Sequence, residues 1–386
     1  MVDKYIKVGI FSPPHHPNKE DVTLTMQRDF KLVEWLDELG YAEYWVGEHH
    51  SGGMQIYSSP ELFIAAAAER TTRIKLGAAV ISLPYHNPLT VAGRIVQLDH
   101  QTRGRAMFGF GPGALSSDAH MLGVSVARSR EQMLKGIDTV VRLIDGETIT
   151  ETTDWYTLRD AHIHIEPYTR PRPQLAIASA RTPVGAMTAG RYNTALLCAN
   201  AGQVNNAYRI ASEAAAEHGR TFDRSNLRVV GSFHLADTRE EARKLVQYGW
   251  DDYVDYLNIM RPPNPNDKAT GAQSIEQVIG QRGGIVGTPD DAIEALEKLW
   301  EDTGGFGTLL LIGAQWMDHE AQKRSYELFM RYVLPKFTGQ NRRREQSMQW
   351  MKDNAVMFSE IRDHASDDAM KQNAPAATPI KAAAAS

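Results

Sequence analysis

The chain has 386 residues, 42% of them hydrophobic and 23% charged, and a formal net charge of −5 at pH 7. This composition provides enough apolar material for a sizeable core, and the length allows one large domain or two ordinary ones. The mild acidic balance argues against a broad nucleic-acid surface and against binding to anionic membranes, since both require clustered basic residues.

Short β-branched runs alternate with longer helical runs along the first half of the chain. The predicted strands are Val8–Phe11, Tyr44–Val46, Ile74–Ser82 and Ala106–Phe110. The predicted helices are Val22–Leu39, Pro60–Arg70, Leu89–Leu98 and Arg130–Ile144. In the first helix, apolar residues recur every three positions from Phe30 to Leu39, and Gly40 stands where a helix C-cap is expected. Four such units predict a parallel sheet with helical crossovers.

The second half repeats this pattern less regularly. Its predicted strands are Leu175–Ala178, Thr194–Leu197, Val229–Phe233 and Thr308–Ile312. Its predicted helices are Gly185–Gly190, Val204–Glu217, Arg239–Tyr256, Ala292–Trp300 and Glu320–Val333. Eight strands that alternate with helices favour an α/β fold of the TIM (β/α)8 barrel type over an open sheet. We expect the barrel to occupy residues 1–335.

Three stretches interrupt the alternation. Gly146–Pro173 lacks a helical period, and the alternating sequence Ile163–Ile165 predicts an inserted hairpin. Met260–Gly287 is rich in proline and glycine, and a loop of this length in a compact domain is usually functional or disordered. Residues 336–386 form a C-terminal extension with a possible helix to Ile361, and the Ala/Pro-rich last ~15 residues are predicted to be disordered.

The lack of long apolar runs and the single thiol indicate where in the cell the protein is expected. No segment approaches the ~20 apolar residues that cross a bilayer, and the N-terminus does not resemble a signal peptide. Cys198 lies in an apolar run, which is typical of a small core residue rather than a catalytic thiol. We therefore expect a cytoplasmic protein with a reduced thiol.

The sequence Glu48-His49-His50 follows the second strand, where a TIM barrel places its chemistry. Adjacent side chains on an extended segment point to opposite sides, so one histidine can face the barrel mouth. The alternative is a surface histidine pair with a purely structural role. Metal binding is disfavoured because no histidine lies three or four residues from another, and His162 and His164, which share a strand face, lack a third ligand.

The sequence from Gly109 to Ala114 matches a loose GxGxxA dinucleotide fingerprint. The match is weak because it follows the fourth strand rather than the first and is interrupted by Pro112. A nicotinamide dehydrogenase is therefore a minor alternative. The missing side chains of Gly111 and Gly113 favour a different interpretation, in which a flat ring approaches the backbone before a loop at residues 115–118.

Residues 179–183, Ser-Ala-Arg-Thr-Pro, follow a strand and open a helix. Free N–H groups at a helix start, together with an arginine and a hydroxyl, are typical of a phosphate site. The simpler interpretation is a helix with Thr182 as N-cap and Pro183 as its first residue. The two interpretations are compatible.

These motifs together resemble the luciferase-like flavin-dependent monooxygenases over roughly residues 5–335. The similarity to limonene-monooxygenase-like enzymes is carried by Arg324–Phe329 and the long tail. The other segments that carry the resemblance are Trp45–His50, Ile74–Pro84, His86–Pro88, Leu98–Asp99, Gly104–Arg105, Gly109–Gly111, Thr182–Pro183, Ala189–Tyr192, Gly287–Pro289 and Gly304–Thr308.

The resemblance implies an enzyme that uses O₂ and reduced FMN, supplied by a separate flavin reductase, to oxygenate a small apolar substrate such as a terpene, ketone or aldehyde. His49 matches the catalytic histidine at the flavin's reactive edge. Ala79 and Val80 match a non-proline cis peptide bond that supports the flavin ring. The region Met260–Gly287 matches a mobile lid, and the family also forms homodimers through early barrel helices.

The same resemblance places Ala180, Arg181 and Thr182 in a phosphate-binding loop. Pro112 stands where luciferase itself has an arginine near the phosphate, which raises the weight on Arg181. Two alternatives share the barrel. One is a deazaflavin-dependent oxidoreductase that transfers hydride without oxygen, and the other is a non-catalytic flavin-binding protein, which the presence of His49 argues against.

Overall fold

The computed structural model describes residues 6–12, 15–179, 182–260 and 274–373. By its internal contacts the chain divides into two units, Met1–Thr338 and Gly339–Ser386. No helix among these described residues is long and apolar enough to cross a membrane.

The first half folds into the four predicted strand–helix units. The elements are β1 (Lys7–Ser12), α1 (Val22–Leu39), β2 (Glu43–Val46), α2 (Pro60–Ala68), β3 (Lys75–Ser82), α3 (Pro88–Gln101), β4 (Ala106–Gly111), α4 (Ser116–Met121) and α5 (Ser129–Ile144). Gly40 ends α1 with a φ of 86°, a left-handed conformation that favours glycine, so the predicted C-cap is confirmed.

The second half contains the other four barrel strands together with additional elements, among them the hairpin of β5 and β6. The elements are β5 (Ile149–Thr152), β6 (Thr157–Ala161), β7 (Gln174–Ser179), α6 (Val184–Tyr192), β8 (Ala195–Cys198), α7 (Val204–Glu217), β9 (Leu227–Leu235), α8 (Arg239–Leu245), α9 (Gln247–Met260), α10 (Ile275–Arg282), β10 (Gly284–Gly287), α11 (Pro289–Thr303), β11 (Thr308–Ile312), α12 (His319–Leu328) and α13 (Leu334–Thr338). A π-helical turn, Phe329–Val333, joins α12 to α13.

Eight parallel strands close into a barrel in the order β1-β2-β3-β4-β7-β8-β9-β11, and β11 pairs again with β1. The predicted TIM barrel is confirmed. Alternation along each strand builds two apolar layers: on β2, Trp45 lies in the barrel interior, whereas Tyr44 and Val46 pack in the cluster outside it. Because the strands are parallel, their carboxyl ends meet at one mouth of the barrel.

The inserted hairpin lies earlier in the chain than predicted. Its strands are β5 and β6, whereas Ile163–Ile165 follows them without regular structure. The hairpin is held by polar contacts: the hydroxyl of Tyr156 donates to Glu151 at 2.6 Å and lies 2.9 Å from the hydroxyl of Thr139 on α5. Alternation of apolar residues does not reveal such contacts.

The region Met260–Gly287 is only partly a loop. Residues 261–273 lie outside the described part of the chain. The remainder forms α10 and β10, so the prediction of a loop is wrong for residues 274–287. A capping box of Ser274 and Gln277 begins α10, and β10 pairs in parallel with the end of β9.

The predicted helix Arg239–Tyr256 is two helices, α8 and α9. The first turn of α9 lies against the segment after β11, where the Gly249 N–H donates to the Trp316 carbonyl at 3.0 Å. A Cβ atom at Gly249 would lie 1.9 Å from the Gln315 carbonyl oxygen, so this close approach requires glycine.

The described part of the second unit, residues 339–373, contains two helices, α14 (Arg342–Asp353) and α15 (Ala355–Gln372). Within it, the rings of Trp350 and Phe358 meet edge to face at 4.9 Å. The helix predicted to reach Ile361 therefore continues to Gln372. The expected disorder at the end of the chain concerns residues 374–386, which lie outside the described residues.

Candidate active site

A cavity of about 350 Å³ lies at the carboxyl ends of the barrel strands. Small side chains form much of its wall, among them Ala79, Ala114, Ala178 and Ala199. The other lining residues are Phe11, His15, Gly47, Glu48, His49, Gln55, Val80, Ser82, Ser179, Leu197, Val230, Tyr253, Tyr256, Leu257, Val278, Arg282 and Ile312. A predominantly apolar pocket with a few polar groups at this place is typical of a ligand site.

Glu48 joins the ends of β2 and β3. One oxygen of its buried carboxylate accepts the Ser82 backbone N–H at 2.6 Å, and the other lies 2.7 Å from His86 Nε2 and 3.2 Å from His50 Nε2. Burial raises the pKa of Glu48, but hydrogen bonds from His86, Ser82 and His50 outweigh burial and lower it below its usual value. Glu48 is therefore ionised near neutral pH and holds all three donors in place.

His49 lines the cavity, and its Nδ1 lies 3.2 Å from the Asp118 carboxylate. Asp118 is buried and also accepts from the Ser51 hydroxyl at 2.5 Å and from the His50 N–H at 3.2 Å. Burial raises the Asp118 pKa, but the hydrogen bonds of His49 and Ser51 lower it further than burial raises it. A carboxylate can only accept, so the neutral His49 ring carries its proton on Nδ1 and offers an unprotonated Nε2.

His50 has different surroundings from its neighbour. Its Nε2 contacts Glu48, and its ring meets Tyr85 edge to face at 6.1 Å. Among the described residues that line the cavity, His49 is present and His50 is not.

Ala79 and Val80 are joined by a non-proline cis peptide bond, so this prediction is confirmed. Both residues line the cavity. The pairing of β3 with β4 shifts register between Ala78 and Ile81, on either side of this bond. The two residues thus line the cavity at an irregularity in the pairing of β3 with β4.

Gly111 and Gly113 do not line the cavity, although their neighbour Ala114 does. A Cβ at Gly111 would lie 2.5 Å from a methyl group of Val80, and one at Gly113 would lie 2.2 Å from the Tyr85 hydroxyl. The missing side chains therefore make room for Val80 and Tyr85. This differs from the direct approach of a ring that the sequence suggests.

Of the predicted phosphate loop, Thr182 is described, whereas Ala180 and Arg181 lie outside the described residues. Thr182 does not cap α6: the N-cap is Pro183, which provides no side-chain hydrogen bond. Thr182 lines a second cavity of about 250 Å³. Ser179 lines both this cavity and the main one. The start of α6 therefore lies next to the main cavity with its N–H groups uncapped by a side chain.

Several polar residues of the site could not be predicted from the sequence. Asp118 lies on α4, where a loop was predicted, and is 69 residues from His49. His15 and Gln55 lie in the loops after β1 and β2, and an isolated antiparallel bridge joins them. No motif links such distant residues, since only the strand order brings them together.

Cys198 and the histidines of the hairpin region take no part in the cavity. Cys198 is buried in the core, as predicted, and burial raises the pKa of its thiol to about 12. His162 and His164 are exposed. No group of His, Cys, Asp or Glu side chains within the described ranges could hold a metal ion.

Residues 6–305 match the profile of the family described as "Luciferase-like monooxygenase". The chain is 44% identical over 344 residues to 4-hydroxyprotoasukamycin monooxygenase of Streptomyces nodosus subsp. asukaensis, covering 86% of this chain and 93% of that one. It is 41% identical over 348 residues to limonene 1,2-monooxygenase of Rhodococcus erythropolis, covering 88% and 89%.

A solved structure shares the fold. It is the oxygenating constituent of 3,6-diketocamphane monooxygenase from Pseudomonas putida in complex with FMN, which superimposes with a TM-score of 0.74. The identity is 24%, and the match covers 86% of this chain and 99% of that structure.

Two fully buried histidines should make the stability of the protein depend on pH. Burial lowers the pKa of His234 to about 3 and that of His15 to about 4. Since the unfolded chain takes up these protons near pH 6.5, folding is most favourable above that pH and weakens as the pH falls toward 4. Each histidine contributes a slope of up to ~1.4 kcal/mol per pH unit.

We predict that His234→Phe flattens the decline in the free energy of unfolding between pH 6.5 and 4. His234 stacks on Trp316 at 4.4 Å, and neither ring nitrogen has a hydrogen-bond partner in the described residues, so phenylalanine retains the contact. Urea unfolding at several pH values measures the slope. Exposed His162, replaced by alanine, is the control. A wild-type slope in His234→Phe would refute the assignment.

Proposed function

We propose that this chain, which belongs to the luciferase-like monooxygenase family, uses reduced FMN and O₂ to oxygenate a small apolar organic substrate in the cavity at the barrel mouth. The observation that carries the proposal is that the Ala79–Val80 backbone and His49, which Asp118 holds in place, line one apolar cavity. The relatives named for limonene and 4-hydroxyprotoasukamycin support an organic substrate of this kind.

The described residues fit a flavin. A flat ring needs a smooth wall, and the backbone at Ala79–Val80 with the small side chains of Ala178 and Ala199 provides one. A phosphate needs donors, and the uncapped start of α6 lies beyond Ser179 and beside Thr182. We assign Ala79 and Val80 to the ring, Thr182 to the phosphate, and Ala180 and Arg181 to the phosphate by their position in the sequence. Gly111 supports Val80 from behind, and Gly113 gives room to Tyr85.

Reduced FMN, when bound, supplies the electrons that activate O₂. The protein's own contribution begins with water exclusion: Tyr253, Tyr256 and Leu257 of α9 and Val278 of α10 line the cavity with aromatic and aliphatic surface. A dry site strengthens electrostatic interactions and suppresses loss of reducing power to hydrogen peroxide.

His49 can move a proton in this cavity. Because Asp118 holds the proton of the neutral ring on Nδ1, the Nε2 atom is unprotonated. It can therefore accept a proton from a reacting group and return it. Asp118 acts through His49 and is a positioning residue, since it fixes the tautomer and the orientation of the ring. Glu48 fixes the backbone on which His49 lies.

We further propose that a separate flavin reductase supplies the reduced FMN, and that the chain acts as a homodimer in the cytoplasm. The family resemblance of the sequence supports the reductase and the homodimer, and the single thiol, Cys198, supports the cytoplasm. A deazaflavin-dependent hydride transfer on the same barrel is the main alternative.

The cofactor assignment predicts that substrate changes the fate of oxygen. Chemically reduced FMN is mixed with the protein and O₂, and hydrogen peroxide is measured per flavin oxidised. Limonene, a cyclic ketone and an aldehyde are compared with a no-substrate control. We expect at least one of them to lower the peroxide yield and to be oxygenated. Turnover with a reduced deazaflavin, without O₂ consumption, would establish the alternative.

The assignment of His49 predicts that His49→Ala separates flavin oxidation from oxygenation. Because a positioned acid–base group contributes roughly 10²–10⁴-fold, the product formed per flavin should fall steeply and hydrogen peroxide should rise. FMN affinity and melting temperature should change little. His162→Ala, at an exposed position, is the matched control. Wild-type yield of product from His49→Ala would show that His49 is not catalytic.

A further inference from the structure

The cavity wall contains buried polar atoms with no partner. His15 is 1% exposed and Gln55 is 8% exposed, and both line the cavity. Within the described residues, the two ring nitrogens of His15 have no hydrogen-bond partner. The amide oxygen of Gln55 has none there either. Buried polar groups of proteins are almost always paired, so three unpaired atoms on one cavity wall indicate a ligand.

The two side chains are held in fixed positions. His15 and Gln55 face each other across an isolated antiparallel bridge, and the Gln55 amide nitrogen donates to the Tyr256 hydroxyl. The His15 ring packs edge-on against Tyr253 at 5.2 Å and Tyr256 at 4.8 Å. The hydrogen bond to Tyr256 uses the amide nitrogen of Gln55, which leaves its oxygen available to a ligand.

Their place in the barrel separates them from the proposed phosphate site. In the order of the eight strands, β1 and β7 lie opposite each other. Thr182 follows β7, whereas His15 follows β1 and Gln55 follows β2. If the flavin phosphate lies at the start of α6, as the proposed function states, His15 and Gln55 lie across the mouth from it and are available to the organic substrate.

The chemistry of the two groups defines what they can bind. Burial lowers the His15 pKa to about 4, so the ring is neutral near pH 7 and has one N–H donor and one acceptor nitrogen. The Gln55 oxygen can only accept. A hydroxyl group can accept from the imidazole and donate to the amide oxygen at the same time. A carbonyl can pair only with His15, and a hydrocarbon with neither.

We propose that His15 and Gln55 form a subsite for a hydroxyl group of the organic substrate, so that the preferred substrates are apolar molecules with an alcohol function. This inference rests on the proposed function for the location of the flavin. It does not depend on which carbon atom is oxygenated. The subsite selects and orients the substrate, whereas His49, earlier in the same loop as Gln55, serves the reaction.

The test measures binding without turnover. Dissociation constants of limonene, carveol and carvone, which share one ten-carbon skeleton and carry no oxygen, a hydroxyl and a carbonyl respectively, are measured by calorimetry on the protein saturated with oxidised FMN. We expect carveol to bind about 10- to 100-fold more tightly than limonene, because limonene leaves the polar atoms unpaired. Carvone should lie between the two.

Variants identify the residues responsible. His15→Phe and Gln55→Leu should each weaken carveol binding about tenfold and leave limonene binding unchanged or tighter, whereas His15→Gln, which retains a donor, should recover part of the preference. The control is His234→Phe, since His234 is also buried with both nitrogens unpaired but does not line the cavity. It should leave all three dissociation constants unchanged. Melting temperatures show that each variant is folded.

The outcomes separate this inference from the proposed function. Equal affinities of wild type for the three ligands, no measurable binding of carveol, or an unchanged carveol preference in both His15→Phe and Gln55→Leu would overturn the hydroxyl subsite. The peroxide-yield assay with reduced FMN tests the proposed function independently, since it requires only that one substrate be oxygenated. A carveol preference in a protein that forms no oxygenated product would leave the subsite standing and refute the function.

Discussion

The geometry of the candidate site depends on the hydrogen bonds of the buried Glu48 carboxylate. A carboxylate is costly to bury unless hydrogen bonds compensate for lost hydration, and Glu48 has three donors for two oxygens. One donor is the backbone of Ser82 at the end of β3. Since His49 is adjacent to Glu48 and Val80 lies two residues before Ser82, this single group sets the spacing between the histidine and the cis peptide.

Much of the fold could be predicted from the sequence because apolar periodicity reports burial locally. The predicted bounds of α1 and α7 coincide with the structure, and all eight barrel strands were identified. The failures occurred where composition suggested a loop. Glycine and proline around α10 concealed a helix, although Ser274 and Gln277 form a capping box at its start. The hairpin was misplaced because polar contacts to α5 hold it.

The site was less predictable than the fold, since its polar groups come from loops that are distant in sequence. His49 could be singled out because it follows a strand, and the cis bond at Ala79–Val80 was indicated by family resemblance alone. Asp118, His15 and Gln55 could not be found, because their roles depend on which strands are neighbours in the closed barrel. Gly111 at the end of β4 and Gly113 after it have a role that only packing reveals, since they accommodate Val80 and Tyr85.

In the proposed function, the flavin lies along β3 and β7, the substrate lies along β1 and β2, and an oxygen atom from O₂ enters the substrate in this cavity. A single turnover with chemically reduced FMN and ¹⁸O₂, followed by mass spectrometry of the organic product, tests the claim directly. We expect one ¹⁸O atom in each product molecule. Consumption of the substrate to give a product without ¹⁸O would contradict it.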